Sequence, residues 1–127
     1  MKISNAIINA ALEAMNQPEF VNETKGQTGY ALYRNIRILS NEIQDYQKLL
    51  RSAIEKYGKE NEDGSYSVDP SDHDNFLKFT EEMTPIAALE VDVDVYQIDG
   101  KDFELPYCKT ATPAQYSLIE ELIVKKE

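Results

Sequence analysis

The sequence is poor in the residues on which metal sites and disulfides depend. It has one cysteine, Cys108, one histidine, His73, and no tryptophan. A single thiol cannot form an internal disulfide, which is typical of proteins of a reducing cytosol. A lone histidine and a lone cysteine cannot build the usual zinc site of several His or Cys ligands. We therefore expect a cytoplasmic protein that binds no metal and no other cofactor.

Long apolar runs are also missing. No stretch approaches the ~20 apolar residues that a membrane-spanning helix needs. The N-terminal segment MKISNAIINAALEAMNQ has the early lysine and apolar middle of a signal peptide, but Asn5 and Asn9 interrupt its apolar run and Glu13 follows it. We therefore interpret this segment as part of the folded protein and expect no membrane contact.

Basic residues are few. The chain has 13 Lys and Arg against 23 Asp and Glu, which gives a formal charge of −10. Such a charge repels the phosphates of nucleic acids and of anionic membranes, so we expect no direct binding of DNA or RNA. A basic protein is left as a partner, although an acidic surface that merely faces water explains the same composition.

What the sequence does contain predicts a helix-rich α+β fold in a single domain over residues 1–127. The length and the 42% of hydrophobic residues suffice for one core. Pro18 and Pro85 limit the first two of three shorter helices. These helices and their capping residues are about 4–17 with Ser4, about 70–83 with Asp69, and about 113–125 with Thr112.

A longer helix is predicted over about 29–57, with Thr28 as its cap and Gly58 as its stop. Its apolar residues recur at alternating steps of four and three, a mean spacing of 3.5 residues that forms one continuous seam. At ~1.5 Å per residue this helix is about 45 Å long, whereas the N-terminal helix reaches only about 21 Å. The seam consists of Leu32, Ile36, Leu39, Ile43, Tyr46 and Leu50, continued by Ala53 and Tyr57.

The seam is the interaction site that the sequence predicts. Its flanking positions are too apolar and too poorly charged for a zipper with salt bridges, so it reads as a wide stripe that packs inside a domain. The shorter helices must also cover the β-structure, which leaves apolar surface uncovered. We therefore predict a homo-oligomer with the long helices at or near the contact.

The clearest strand signal is LEVDVDVY, in which apolar and acidic residues alternate. The DG dipeptide at 99–100 favours an antiparallel hairpin into KDFELPY. A two-residue loop would pair Tyr96 with Phe103, and a three-residue loop would pair Val95 with Leu105. We prefer the second register, because it keeps the apolar face continuous and a one-residue slip moves the whole buried set. A shorter strand is predicted at SYSV, after another DG turn.

Two acidic segments come near the pattern of metal sites without meeting its requirements. KENEDGSYSVDP has part of the spacing of a calcium loop, but aligning Gly64 with the obligatory glycine puts Lys59 and Pro70 at ligand positions. Asp92 and Asp94 share one strand face, where they could hold Mg²⁺ or transfer protons. A solvent-facing strand shows the same alternation, and we prefer that interpretation.

The remaining chemistry argues against an enzyme. The polar segment SDHDN makes His73 a solvated residue, and Cys108 is interpreted as a small side chain that is buried or half-buried. A pairing of these two in space stays open. The sequence has no glycine-rich phosphate loop, no serine elbow and no metalloprotease helix motif. We therefore predict no catalytic residue.

The order of elements resembles that of small, uncharacterised bacteriophage and prophage proteins. The similarity rests on the Asn/Ala-rich N-terminus, on YALYRNIRILSNEIQDYQKLLRSAIEKYG, on the acidic turn KENEDGSY, on LEVDVDVY and on the closing TPAQYSLIEELI. It covers about residues 4–57 and 85–123, and QIDGKDFELPYCK looks like an insertion. The resemblance implies a phage or prophage origin in a bacterial host cell, and it implies no catalytic residues.

These observations lead to three hypotheses about function. The first is a non-enzymatic phage or prophage accessory protein that acts through protein–protein contacts. The second is a counter-defence protein, which either occludes a basic host enzyme or sequesters a small ligand in a pocket between subunits. The third, an enzyme that uses Asp92, Asp94 or His73, is the least favoured.

Overall fold

Local signals for helices recur along the sequence, and six helices are formed in residues 1–126, the part of the chain that the computed structural model describes. They are α1 (Asn5–Met15), α2 (Pro18–Glu23), α3 (Gly26–Glu42), α4 (Gln44–Tyr57), α5 (His73–Ala87) and α6 (Pro113–Ile123). The strands are β1 (Lys2–Ser4), β2 (Lys59–Glu60), β3 (Tyr66–Ser67) and β4 (Glu90–Asp92), and Gly100–Asp102 forms a 3₁₀ turn. The predicted helix-rich α+β class is confirmed. None of the helices described is both long and apolar enough to cross a membrane.

Capping residues place several helix ends where the sequence predicts them. The Ser4 hydroxyl accepts a hydrogen bond from the Ile7 N–H at 3.2 Å and starts α1. Thr112 and Gln115 form a reciprocal capping box at the start of α6, with bonds of 3.2 and 3.0 Å. Gly58 ends α4, and the predicted SYSV strand appears as β3, paired antiparallel with β2. These signals are local, and local chemistry suffices to satisfy the free N–H and C=O groups of helix ends.

Pro18 limits the first helix as predicted, since α1 ends at Met15. Pro18 is also the first residue of α2, a short helix that the sequence did not predict, where its missing N–H costs nothing. Pro85 does not act as predicted. Pro85 lies within α5, which continues to Ala87. That helix also begins later than predicted, because Asp72 rather than Asp69 stands at its start. The Asp69 carboxylate instead accepts from the N–H of Ser71 at 2.9 Å, which forms a turn before the helix.

The prediction of a single long helix over about 29–57 is wrong, because two helices, α3 and α4, meet at a break at Ile43. The Ile43 N–H donates to Leu39 at 3.0 Å and its carbonyl accepts from Gln47 at 2.9 Å, so hydrogen bonding continues around the break. Helix α3 packs on α1 and α2, whereas α4 packs on α5 and β3. The two halves of the seam therefore face different neighbours. In a straight helix, residues spaced 3.5 apart shift around the helix axis by ~20° per heptad. The break lets each half of the seam pack against its own neighbours.

Thr28 is not the cap of this helix either. Helix α3 begins at Gly26, whose φ of +61° lies in the left-handed region that favours glycine. The Thr28 side chain is buried, and its hydroxyl donates to the Asp102 carbonyl at 2.9 Å and accepts from the Glu104 N–H at 3.0 Å. Thr28 therefore attaches the segment after the 3₁₀ turn to α3.

The predicted hairpin between LEVDVDVY and KDFELPY is also wrong. Strand β4 pairs antiparallel with the N-terminal strand β1, with Ile3 opposite Val91. The N-terminal ammonium group extends this pairing by donating to the Asp92 carboxylate at 3.0 Å and to the Val93 carbonyl at 3.1 Å. Further along, Ile98 forms a parallel bridge with Val124. Neither predicted register occurs, because the backbone groups that a hairpin would use are bonded to other parts of the chain.

The facing of this segment is predicted correctly at its centre and wrongly at its start. Val93 is 4% exposed and belongs to the core, while Asp92 and Asp94 face solvent. Leu89, which the alternation places inside, is 58% exposed. Leu89 lies between α5 and β4, where its N–H donates to the Ile86 carbonyl at 3.2 Å and its carbonyl accepts from the Asn5 N–H at 3.0 Å.

The core is built around α1, which packs against α3 and α6. Helix α1 has apolar residues on several sides and almost no charge, which suits a central position. The ring of Phe20 is fully buried and meets Tyr116 edge-on, with ring centroids 5.3 Å apart. The other fully buried apolar side chains of the core include Ile8, Met15, Leu39, Ile43, Ile119 and Ile123.

Candidate interaction surface

The predicted interaction seam lies mainly inside the single chain. Leu32, Leu39, Ile43 and Tyr46 are buried, and Ile36 and Leu50 are half-buried. The chain covers these side chains with its own helices, because the break at Ile43 lets each half of the seam find a separate neighbour. A surface for partners therefore has to be sought on the outer faces of the helices.

Helix α3 carries an aromatic and cationic face. Tyr30, Tyr33, Arg34 and Arg37 are spaced at i, i+3, i+4 and i+7, which places them on one side of the helix. The tyrosines are widely exposed, Tyr30 at 55% and Tyr33 at 73%. The ring of Tyr96, from the segment after β4, packs against this face. We call these five residues the tyrosine–arginine surface.

Asn35 holds Tyr96 at this position. Its side chain is fully buried, and its carbonyl oxygen accepts from the Tyr96 N–H at 2.8 Å. The Asn35 amide nitrogen donates in return to the Tyr96 carbonyl, also at 2.8 Å. One amide thus satisfies both backbone groups of one residue, in the way that a neighbouring strand would. The segment after β4 is fixed to α3 by side-chain bonds and not by a hairpin.

Arg34 is held by two aromatic rings. Its guanidinium carbon lies 5.1 Å from the centroid of the Tyr96 ring, within the range of a cation–π contact. Its Nη1 donates to the Tyr30 hydroxyl at 3.1 Å. The rings of Tyr30 and Tyr96 meet edge-on, with centroids 5.4 Å apart and an interplanar angle of 78°. These contacts order Arg34 before any partner arrives.

In the part of the chain that the structure describes, Arg34 and Arg37 form no ion pair with a carboxylate. The ion pairs within residues 1–126 involve the N-terminus, Lys56 and Lys125, and none includes an arginine. Arg34 Nε is buried, and within the same residues it donates to no acceptor. Positions 24–41 contain no Asp or Glu, in a chain with 23 acidic residues. Positions 24–41 thus carry only positive charge, from Lys25, Arg34 and Arg37, on a negative protein.

A second exposed feature is an apolar groove between α4 and α5. It has a volume of about 250 Å³ and is lined mainly by Leu49, Ala53, Met83 and Ile86. Leu49 is half exposed, whereas Met83 is buried at the base of the contact between the helices. An ion pair of 4.0 Å between Lys56 and Glu82 lies at its edge. The groove resembles the uncovered apolar surface that the sequence predicts near the long helix.

The residues considered for catalysis are not members of the tyrosine–arginine surface, although Asp94 lies two residues before Tyr96. The Cys108 thiol is buried and donates to the Glu19 carboxylate at 3.1 Å, which lowers the pKa of that carboxyl. His73 is the exposed first residue of α5. Asp92 accepts from the N-terminal ammonium and Asp94 faces solvent. Within residues 1–126 no three His, Cys, Asp or Glu side chains are grouped so that they could hold a metal ion.

Sequence reasoning missed the tyrosine–arginine surface although part of its signal was present. The spacing of Tyr30, Tyr33, Arg34 and Arg37 is readable from the sequence, but the apolar seam on the opposite side of the same helix carried the stronger pattern. Tyr96 could not be assigned to the surface, because its position depends on Asn35, which is 61 residues away along the chain.

Comparison of the chain with family models, with curated proteins and with solved structures finds no match. The function therefore has to be argued from the residues and from the geometry of the surface.

Proposed function

We propose that this protein is a non-enzymatic binding protein, encoded by a phage or prophage, that acts in the bacterial cytoplasm through protein–protein contacts. The tyrosine–arginine surface is the observation that carries this proposal. Tyrosine and arginine are enriched among the residues that dominate the energetics of protein interfaces. The phage or prophage origin rests on the resemblance in the order of elements.

The order of the surface supports the same proposal. A free arginine loses much side-chain freedom when it enters an interface, which costs about 0.5–1.5 kcal/mol. The hydrogen bond to the Tyr30 hydroxyl and the contact with the Tyr96 ring already restrict Arg34 in the free protein, which lowers this cost. Tyr33 and Arg37 extend the surface by one turn and are exposed. Arg34 is held in place, while the exposed side chains of Tyr33 and Arg37 can adjust to a partner. This combination suits the recognition of another protein.

Affinity capture from infected or lysogen-bearing cells, followed by mass spectrometry, tests this proposal. The surface variant is Tyr33→Ala/Arg37→Ala, and the matched control is Tyr107→Ala/Arg51→Ala, which removes an exposed tyrosine and an exposed arginine elsewhere. We expect the control to retain the proteins that the wild type captures and the surface variant to lose them. Equal capture by the two variants would show that the surface is not the binding site.

Self-association is a further part of the proposal. The α4–α5 groove supports it. Leu49 lies on α4, the helix that continues the predicted seam, and it exposes apolar area beside Met83 and Ile86 of α5. A second copy that covered this groove would form the predicted homo-oligomer. Sedimentation equilibrium of Leu49→Glu, with Val21→Glu on α2 as the control, tests this. A wild type that is strictly monomeric at micromolar concentration would end the homo-oligomer proposal.

A counter-defence role is the second candidate, and the acidic segment 60–74 favours it. This segment carries six carboxylates, all on exposed residues except the half-buried Asp72: Glu60, Glu62, Asp63, Asp69, Asp72 and Asp74. Such a segment could occlude the active site of a basic host enzyme, and its binding would weaken with salt. The alternative of ligand sequestration is supported by a groove of about 530 Å³ beside Arg51 and Tyr66. Lys59→Glu should strengthen binding to a basic enzyme, whereas Asp63→Lys should weaken it.

A further inference from the structure

We propose that the tyrosine–arginine surface binds an acidic segment of another protein, so that carboxylates of the partner pair with Arg34 and Arg37. This inference rests on the proposed function, because it assigns the chemistry of the partner to the same surface.

Charge complementarity is the first argument. The surface presents two arginines without a carboxylate partner in residues 1–126, on a helix whose only acidic residue is Glu42 at its C-terminal end. A basic partner would meet these cations directly. Asp94 lies two residues before Tyr96, but the more distant negative charge of the chain acts weakly here, since exposed charges are screened over about 8 Å at physiological ionic strength. Local charge therefore selects an acidic partner, in contrast to the basic partner expected from the net charge.

The environment of Arg34 is the second argument. Its Nε is buried and has no acceptor among residues 1–126, and Nη1 is bonded to a neutral hydroxyl, so within these residues the cation is partly removed from water with no carboxylate paired to it. A partly buried charge without a counter-ion is costly. A carboxylate that accepts from the guanidinium would offset this cost, and arginine is the residue best suited to hold a carboxylate with two parallel hydrogen bonds.

The geometry of the next turn is the third argument. Arg37 lies three residues after Arg34, which raises it by about 4.5 Å along the helix. Two carboxylates at alternate positions of an extended segment are about 7 Å apart. The long arginine side chains are flexible enough to reach both of them despite the smaller rise along the helix. Tyr33 lies one residue before Arg34 and about one turn before Arg37, and its ring is exposed. It can cover an apolar side chain of the same segment beside the carboxylates.

A nucleic acid fits this surface less well. Single-stranded nucleic acids bind through bases stacked on free aromatic faces and through a basic groove that follows the backbone. Here the guanidinium of Arg34 already covers a face of Tyr96 and Tyr30 meets that ring edge-on, so the exposed ring of Tyr33 is the main one left for a base to stack on. The two arginines also do not form a groove long enough to follow a phosphate backbone, and the −10 net charge repels one.

Fluorescence anisotropy with defined probes tests the inference on the full chain. The probes are a labelled peptide of alternating glutamate and serine, the same peptide with lysine in place of glutamate, and a labelled oligothymidylate. We expect saturable binding of the glutamate peptide alone, weakened roughly tenfold by Arg37→Gln and by Arg34→Gln. Arg51→Gln is the control and should bind as the wild type does. Because Arg34→Gln could disturb the packing of Tyr96, the exposed Arg37→Gln decides the result.

The inference is overturned if the glutamate peptide does not bind, if Arg37→Gln binds it as well as Arg51→Gln does, or if the lysine peptide or the oligothymidylate binds more tightly. Its failure is separable from that of the proposed function. If cellular capture still depends on Tyr33 and Arg37 while the glutamate peptide fails, the surface is an interface and only the acidic chemistry is wrong. If capture does not depend on them, the proposed function itself fails.

Discussion

Asn35, like Thr28, is a buried polar side chain of α3 that binds the backbone of a distant segment, and it should contribute strongly to stability. Replacing it with alanine removes both hydrogen bonds to the Tyr96 backbone, each 2.8 Å long, and leaves that N–H and carbonyl without a protein partner. An unsatisfied buried group costs about 1–3 kcal/mol. Tyr96 is half-buried, so water can reach part of the site and each loss lies towards the lower end. We expect Asn35→Ala to lower the free energy of unfolding by about 2–4 kcal/mol.

Asn41→Ala is the matched control. Asn41 lies on the same helix and is exposed, so its replacement gains the same helix propensity without removing a buried bond. Its effect should stay within about 0.5 kcal/mol. Asn35→Asp should be more harmful than Asn35→Ala at neutral pH, because it keeps the acceptor for the Tyr96 N–H but loses the donor and buries a charge.

Urea unfolding followed by far-ultraviolet circular dichroism measures these differences. The two Asn35 variants, but not Asn41→Ala, should also weaken the binding of any ligand to the tyrosine–arginine surface, because Tyr96 would no longer be held beneath Arg34. If Asn35→Ala is no less stable than Asn41→Ala, the two bonds do not fix the segment after β4, and the reasoning about this surface loses its structural basis.

Val93→Asp should unfold the protein, because it buries an unpaired charge at a position that is 4% exposed, whereas Asp94→Asn should change the melting temperature little. Cys108→Ser should retain the fold and the binding of partners, since a hydroxyl can also donate to the Glu19 carboxylate; loss of binding with the fold intact would revive a chemical role. The pKa of Asp63 is lowered by hydrogen bonds from Ser65, and that of Asp69 by hydrogen bonds from Ser71. Their stabilisation of the two turns should be complete above the ordinary value of 3.8 and lost as the pH falls through the lowered values, which amide exchange of both serines can follow.

The parts of the fold that could be predicted are those decided by neighbouring residues. Ser4 and Thr112 cap their helices by bonds to residues three positions away, and Gly58 ends α4. Such signals are complete within a few residues, so the sequence contains all the information that they need. Val93 was also placed in the core correctly, because alternation over the centre of the segment reflects the two faces of an extended chain.

The parts that could not be predicted depend on partners that are distant in the sequence. Strand β4 could have paired with the segment after its DG turn, but the three residues of β1 pair with it instead, and a strand so short shows no periodicity. The sequence around Ile43 contains no proline or glycine, the residues that usually indicate a break in a helix. It follows from the packing of α3 on α1 and α2 and of α4 on α5, which the apolar spacing alone does not distinguish.

The position of the candidate surface follows from the geometry of one helical turn. Consecutive residues of a helix point about 100° apart, so Arg34 can face outwards while Asn35 points into the core. Asn35 binds the backbone of Tyr96, and the ring of that same residue lies beneath Arg34. The segment after β4 is thus fixed to the core by the Asn35 amide, and its Tyr96 ring completes the tyrosine–arginine surface on the outer face of α3. A sequence that formed the hairpin would bond Tyr96 to another strand, and Arg34 would lose the ring that orders it.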